Sequence, residues 1–327
     1  MENQKIETKQ FRVVLFNSTV VYIFSYLFVF FMYQLAMALM AKEFNIRTML
    51  TFYKLSFLTP DDSGRWYVDS ALTIFSSAPL LCIIMAFVCI MLYRAAIQTT
   101  SLFKLFFLWT AIHSLNRLFA SYAIGSVFFQ YDSNLIADWL YYGPEIKIFF
   151  SAICVIILYI IGNYTTSAIL SSADSFLLIN KKNRNNFIRS QLLYPWLAGS
   201  LAVFLFFMPH FPLRENVLNI SLGIMILPIL LRHRKIMTPE LDDDLPGNRI
   251  SWKYLVFLLV FLIGFRLVFG KGILLGDETE KVADILGLIV FVVLLCTFVL
   301  YQIIRSRKRR RREFEELVAE SMRGVET

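Results

Sequence analysis

Eight long runs of apolar residues, separated by short polar segments, leave this chain few ways to fold. They cover residues 13–41, 71–96, 103–130, 146–170, 192–209, 216–231, 252–270 and 284–304. Each is roughly 16–29 residues, the length that crosses a bilayer as a helix. Inside lipid every backbone N–H and C=O must be satisfied by the protein itself, so only helices or closed barrels can span. Barrel strands alternate apolar and polar residues; these runs are continuous. The expected fold class is therefore all-α, a polytopic transmembrane helix bundle of about eight spans. Residues 1–304 are read as a single integral membrane domain and 305–327 as a cytoplasmic polybasic tail. Composition agrees, at 57% hydrophobic and 17% charged, against about 45–50% and about 25% in a soluble domain.

Basic residues set the orientation, because cytoplasmic loops concentrate Lys and Arg. One side collects Lys5, Lys9 and Arg12, then Arg94 with Lys104, "KKNRNNFIR" (181–189), "RHRK" (232–235) and "RSRKRRRR" (305–312). Eight crossings place all of these together, with both termini cytoplasmic. Losing one helix would separate them. Losing 192–209 and 216–231 together would not, and those two runs are short and hold Pro195 and Pro228. The first run is too long for the roughly 7–15 residue core of a signal peptide, so it is expected to be retained as the first span.

Two segments on the opposite side invite structure of their own. In 44–58, Ile46, Met49, Leu50, Tyr53 and Phe57 recur at helical spacing with Arg47 and Lys54 on another face, which predicts an interfacial helix. Trp66, Tyr67, Trp139, Tyr141 and Tyr142 fit the aromatic belt at the lipid boundary, with a substrate lid as the sharper alternative.

Several chemistries are poorly served. Cys82, Cys89, Cys154 and Cys296 lie in apolar runs without a CxxC pair and read as small hydrophobes. Of three histidines, His210 and His233 fall on opposite sides of the membrane. His113 is followed by Ser114 and, four positions on, Arg117, so the HExxH zinc pattern is missing. Asp242, Asp243 and Asp244, between prolines, read as a solvated acidic turn without EF-hand spacing. No metal ligand set, cofactor motif or catalytic residue is assigned. The net charge of +8 sits in loops and tail. It points to topology and to anionic lipid at the tail, not to nucleic acid.

The exception to the greasy pattern is "WTAIHSLNRLFASYAIG" (109–125). On a helix, Thr110, His113, Arg117 and Ser121 follow i, i+3, i+7 and i+11, with Asn116 beside them. A charged side chain at mid-depth costs about 2.5–3.5 kcal/mol on insertion scales and is a functional-site hypothesis by default. All 24 Asp and Glu lie in loops, tails or span ends, and the nearest candidates are Asp69, Asp132, Asp138 and Glu145. Arg117 is thus expected to lack a carboxylate partner within the chain unless a loop folds inward, which leaves backbone carbonyls, Asn and Ser neighbours, water, another subunit or an anionic ligand.

Three functions compete. The chain binds or moves a small anion or anionic amphiphile, with Arg117 as counter-charge and His113, Asn116 and Thr110 around it. Alternatively it is a non-catalytic subunit of a membrane complex, with Arg117 pairing a carboxylate of another membrane protein. The third, a lipid-modifying enzyme with His113 as base, lacks a visible acid or metal. A bacterial inner membrane is the expected location. The competing structural explanation is that His113 and Asn116 are interhelical hydrogen-bonding groups and Ser121 with Gly125 a small-residue packing edge.

Overall fold

The computed structural model describes residues 2–95, 101–128, 132–173, 176–236, 250 and 252–276. The run 284–304, the tail and Asp242–Asp244 lie outside them. The protein is mostly helical. In order the elements are α1 (Glu2–Glu43), β1 (Thr48–Leu50), β2 (Leu55–Phe57), α2 (Val68–Ala95), α3 (Ser101–Phe128), α4 (Asp132–Trp139), α5 (Pro144–Ser171), α6 (Phe176–Ile179) and α7 (Arg184–Ile188). A π turn (Arg189–Leu193) leads into α8 (Tyr194–Phe206), followed by α9 (Leu213–Arg232), a 3-10 turn (His233–Lys235), α10 (Trp252–Phe269) and β3 (Ile273–Leu275).

Five helices are long and apolar enough to cross a membrane: Lys9–Glu43 of α1, α2, α5, α9 with its 3-10 extension, and α10. Exposed side chains such as Phe87 on α2, Ile148 and Phe149 on α5, and Val260 and Leu267 on α10 make an apolar surface that water would not tolerate. α3 is as long as α2 yet is not one of the five. Its polar residues fall inside the span and turn toward protein instead of lipid.

The bundle has a centre and a rim. The most apolar stretch of α1 is 72% buried, that of α5 only 11%. α3 packs against α1, α2, α4, α5 and α9. Where α5 crosses α9, a Cβ on Gly162 would overlap the Met225 carbonyl, and one on Gly199 of α8 would overlap the Tyr22 ring of α1. These two glycines therefore set how closely the helices approach.

The all-α expectation needs one correction. Residues 44–58 do not form an interfacial helix. β1 and β2 are an antiparallel hairpin with Thr48 opposite Phe57 and Leu50 opposite Leu55, and β3 pairs on the other side of β1, Ile273 opposite Leu50. Thr51 closes the turn: its Oγ1 donates to the Lys54 carbonyl (2.7 Å) and accepts from the Lys54 amide (3.1 Å). Helical periodicity over so short a window also fits a bent hairpin. β3 satisfies the free edge of β1, and no local pattern announces a partner so distant in sequence. Gly272 and Gly276, at φ +80° and +81°, bracket β3 in a conformation that other residues rarely adopt.

Other boundary residues also pack instead of anchoring. Trp66 lies against Phe57 and Phe75, whereas Tyr141 is 86% exposed. Arg266 donates to the Met208 carbonyl at 2.9 Å and lies over the Phe52 ring. Lys147 pairs with Asp138. Tyr164 points away from α3, being 82% exposed.

At the opposite end, the segment read as the basic loop 181–189 turns helical at Arg184. Arg184 is buried and donates to the carbonyls of Ile179 (3.1 Å), His233 (2.9 Å) and Ile236 (2.8 Å). It holds the ends of two helices together, so it is not a free charge marking a loop.

Candidate functional site

The polar face of α3 is real and buried. Thr110, His113, Ser114, Asn116, Arg117 and Ser121 all lie in the interior. α1 meets this face with Tyr22 and Tyr26, one helical turn apart, and α9 with Glu215 and Asn219, also one turn apart. All four predicted site residues therefore belong to one region, but they do not share one role.

Arg117 is not unpartnered. Its Nη2 pairs with Oε2 of Glu215, which corrects the expectation that no carboxylate of the chain reaches it. The exposures are 4% for the arginine and 1% for the glutamate. Two features of α9 explain the miss. The helix starts at Leu213, earlier than the apolar run at 216, so Glu215 is in its first turn. The turn at 207–212 also lies level with Arg117, well short of the end of α3. The first turn of a helix favours a carboxylate, because the unpaired N–H groups there carry partial positive charge. A signal was available: Glu215, Asn219, Leu222, Ile226 and Ile229 follow i, i+4, i+7, i+11 and i+14, and all are buried. The acid heads the inward stripe of an otherwise apolar helix.

The pair is well furnished. Tyr26 donates its hydroxyl to the same Oε2 at 2.6 Å. Arg214 stands 3.9 Å from Oε1. The Arg117 guanidinium lies over Tyr33 (4.8 Å) and Phe30 (5.4 Å). Ser121 donates back to the Arg117 carbonyl.

Asn116 acts as a helix-to-helix tie. Its Nδ2 donates to the Leu218 carbonyl at 2.8 Å, and Ser221 Oγ donates to its Oδ1 at 3.3 Å. Tyr22 links three helices: its hydroxyl donates to Asn219 Oδ1 (3.0 Å) and stands 2.9 Å from Ser200 Oγ. His113 sits in an aromatic box, stacked on Trp109 and edge-on to Tyr22 and Tyr26. An uncharged imidazole carries one donor and one acceptor nitrogen, so Nε2 can take either part.

Several buried polar atoms here have no hydrogen-bond partner: Thr110 Oγ1, His113 Nε2, Ser114 Oγ, Arg117 Nη1, Glu215 Oε1 and Asn219 Nδ2. Each such atom costs about 1–3 kcal/mol when buried unsatisfied, and a cluster of them marks a place built to take something polar. The polar line also continues. Trp109 Nε1 donates to Ser18 Oγ (3.1 Å), Ser18 to the Gln191 carbonyl (2.6 Å), and Gln191 Nε2 to Ser172 Oγ (3.2 Å). From Glu215 through Tyr26, His113 and Ser18 to Ser172, polar groups follow the α1–α3 seam toward the basic end.

His210 is stacked face to face on Tyr53 at 3.9 Å, and His233 is buried beside the Ile229 carbonyl. Among the described residues no three His, Cys, Asp or Glu come together. No protein-family model, curated protein or solved structure matches this chain.

Proposed function

We propose that this is a multi-pass protein of a bacterial inner membrane, with eight spans and cytoplasmic termini, that binds a small anion or the anionic head of an amphiphile at Arg117 and passes it along the α1–α3 seam. Residues 1–304 act as one membrane domain, and the basic tail, 305–327, holds anionic lipid. The observation that carries this reading is the set of unpartnered buried atoms around the Arg117–Glu215 pair. Donors (Arg117 Nη1, Asn219 Nδ2, the hydroxyls of Thr110 and Ser114), an acceptor (Glu215 Oε1) and His113 Nε2, which can take either part, all point to a polar guest.

Because Glu215 already holds Arg117, an anion binds by exchange. A proton on Glu215 removes its charge, the guanidinium turns to the incoming anion, and the net charge of the site is unchanged. Tyr26 and Arg214, the other groups facing Glu215, both favour the ionised carboxylate, so the exchange needs acid conditions. The exchange avoids leaving a lone guanidinium in a low-dielectric interior, where the cost is several kcal/mol. The subunit reading and the anion reading both began from a missing acid, and Glu215 removes that ground from both; the anion reading now rests on the unpartnered buried atoms alone. The enzyme alternative gains nothing, since among the described residues no metal cluster joins His113.

The test is thermal stabilisation of the purified full-length protein by methanesulfonate and by decanesulfonate, anions that stay ionised at low pH, at several pH values. The midpoint should rise with ligand, more at low pH than at high. The paired variant Arg117→Met with Glu215→Leu, which leaves no lone charge, should fold and lose the response. A paired variant that responds like wild type would remove Arg117 from the site.

A further inference from the structure

A second cation-lined site lies at the basic end, apart from the Arg117 cluster. A cavity of about 260 Å³ opens between α1 and the α7–π–α8 segment, with volume for roughly eight or nine waters. Arg12 enters from α1. Asn186, Arg189, Ser190 and Tyr194 enter from the other side, and Phe11 and Leu15 form an apolar wall. None of these seven lining residues is acidic. Among the described residues, two guanidiniums thus border one space that no carboxylate lines, an arrangement that favours an anion.

The backbone is shaped for this. Between Ile188 and Tyr194 the helix widens into a π turn, with the Tyr194 amide bonded to the Arg189 carbonyl. Pro195, four residues after Gln191, has no N–H to offer the Gln191 carbonyl, and Ser18 of α1 donates to it at 2.6 Å. That clasp fixes α1 against the segment carrying Arg189. Single π turns inside α-helices occur frequently at functional sites.

Depth identifies the ligand. Arg12 immediately precedes the apolar stretch of α1, whose next two residues, Val13 and Val14, are buried. Arg189 likewise precedes the apolar stretch of α8. Both arginines are exposed, and both stand where a hydrocarbon belt gives way to headgroups. A guanidinium fork binds phosphate oxygens in a bidentate manner. Asn186, Ser190 and Tyr194 add uncharged donors, and Phe11 with Leu15 offers contact for glycerol and the first acyl carbons. We infer that the cavity between α1 and the π turn is a binding site for the phosphate of a net-anionic phospholipid headgroup, held jointly by Arg12 and Arg189. This inference does not depend on the anion site at Arg117.

The experiment is native mass spectrometry of the full-length protein released from nanodiscs containing phosphatidylglycerol or phosphatidylcholine. The variant Arg12→Gln with Arg189→Gln is compared with wild type and with Arg94→Gln, an exposed arginine at the same end of the bundle. The basic tail stays intact in all three, so its lipid binding cancels. Each basic group near an anionic headgroup contributes about fivefold in affinity. The double variant should therefore hold phosphatidylglycerol roughly twenty- to thirty-fold more weakly, while Arg94→Gln retains it and phosphatidylcholine is held equally by all. Millimolar inorganic phosphate should displace phosphatidylglycerol from wild type. Equal retention of phosphatidylglycerol by the double variant would overturn the site. Retention of inorganic phosphate, without preference for phosphatidylglycerol over phosphatidylcholine, would overturn the lipid as its occupant.

Discussion

Two ion pairs in this molecule look alike on paper and differ in what surrounds them. Arg117–Glu215 joins α3 to α9 with side-chain exposures of 4% and 2%. Lys147–Asp138 joins α5 to α4 at the hairpin end, with exposures of 11% and 42%. The first pair sits in the interior among aromatic rings, and removing one partner strands the other in a medium that cannot solvate it. The second pair has water at the aspartate, so that carboxylate can be rehydrated, although Lys147 is itself buried. Burial, more than separation, decides how much each pair matters.

The largest expected effect comes from Glu215→Ala, which leaves Arg117 without its acid. It should destabilise the protein by about 3–5 kcal/mol, measured by reversible unfolding in mixed micelles. A loss below about 1 kcal/mol would mean that the interior is wet. Restoring charge balance with Arg117→Met in the same chain as Glu215→Leu should return most of that stability. If the double variant is as unstable as the single one, packing and not charge explains the loss. Tyr26→Phe removes a hydrogen bond to a charged group and should cost about 1.5–3 kcal/mol. Combined with Glu215→Leu it should cost little more, because the acceptor is already gone. Smallest is Asp138→Asn, at about 0.2–1 kcal/mol and falling as salt rises. A larger loss would show that α4 shields this pair more than the exposure of Asp138 implies.

The membrane character and the positions of most spans were readable because an apolar run is a local property. The inward face of α3 was readable for the same reason: Thr110, His113 and Arg117 repeat at helical spacing within one short stretch. What the residues did not disclose is where elements end and what they meet. Glu215 was set aside because the helix was started at the first apolar residue, although the helix begins at Leu213. Arg184 looked like a loop charge because nothing nearby in sequence announces the carbonyls of His233 and Ile236 that it binds. The hairpin at 48–57 was mistaken for a helix because its decisive partner, β3, is remote in the chain. Each miss is a long-range contact overriding a local pattern.

That remote partnership has a consequence for biogenesis. A ribosome feeding this polypeptide into a membrane delivers Thr48–Leu50 early, and Ile273–Leu275 emerges only after α10 has been threaded. Until then one side of β1 has unmade backbone hydrogen bonds. The sheet therefore acts as a completion seal, joining the first inserted helix to the last described one. A nascent chain halted before β3 should show fast amide exchange at Leu50, whose backbone faces Ile273 of β3, that full-length protein lacks.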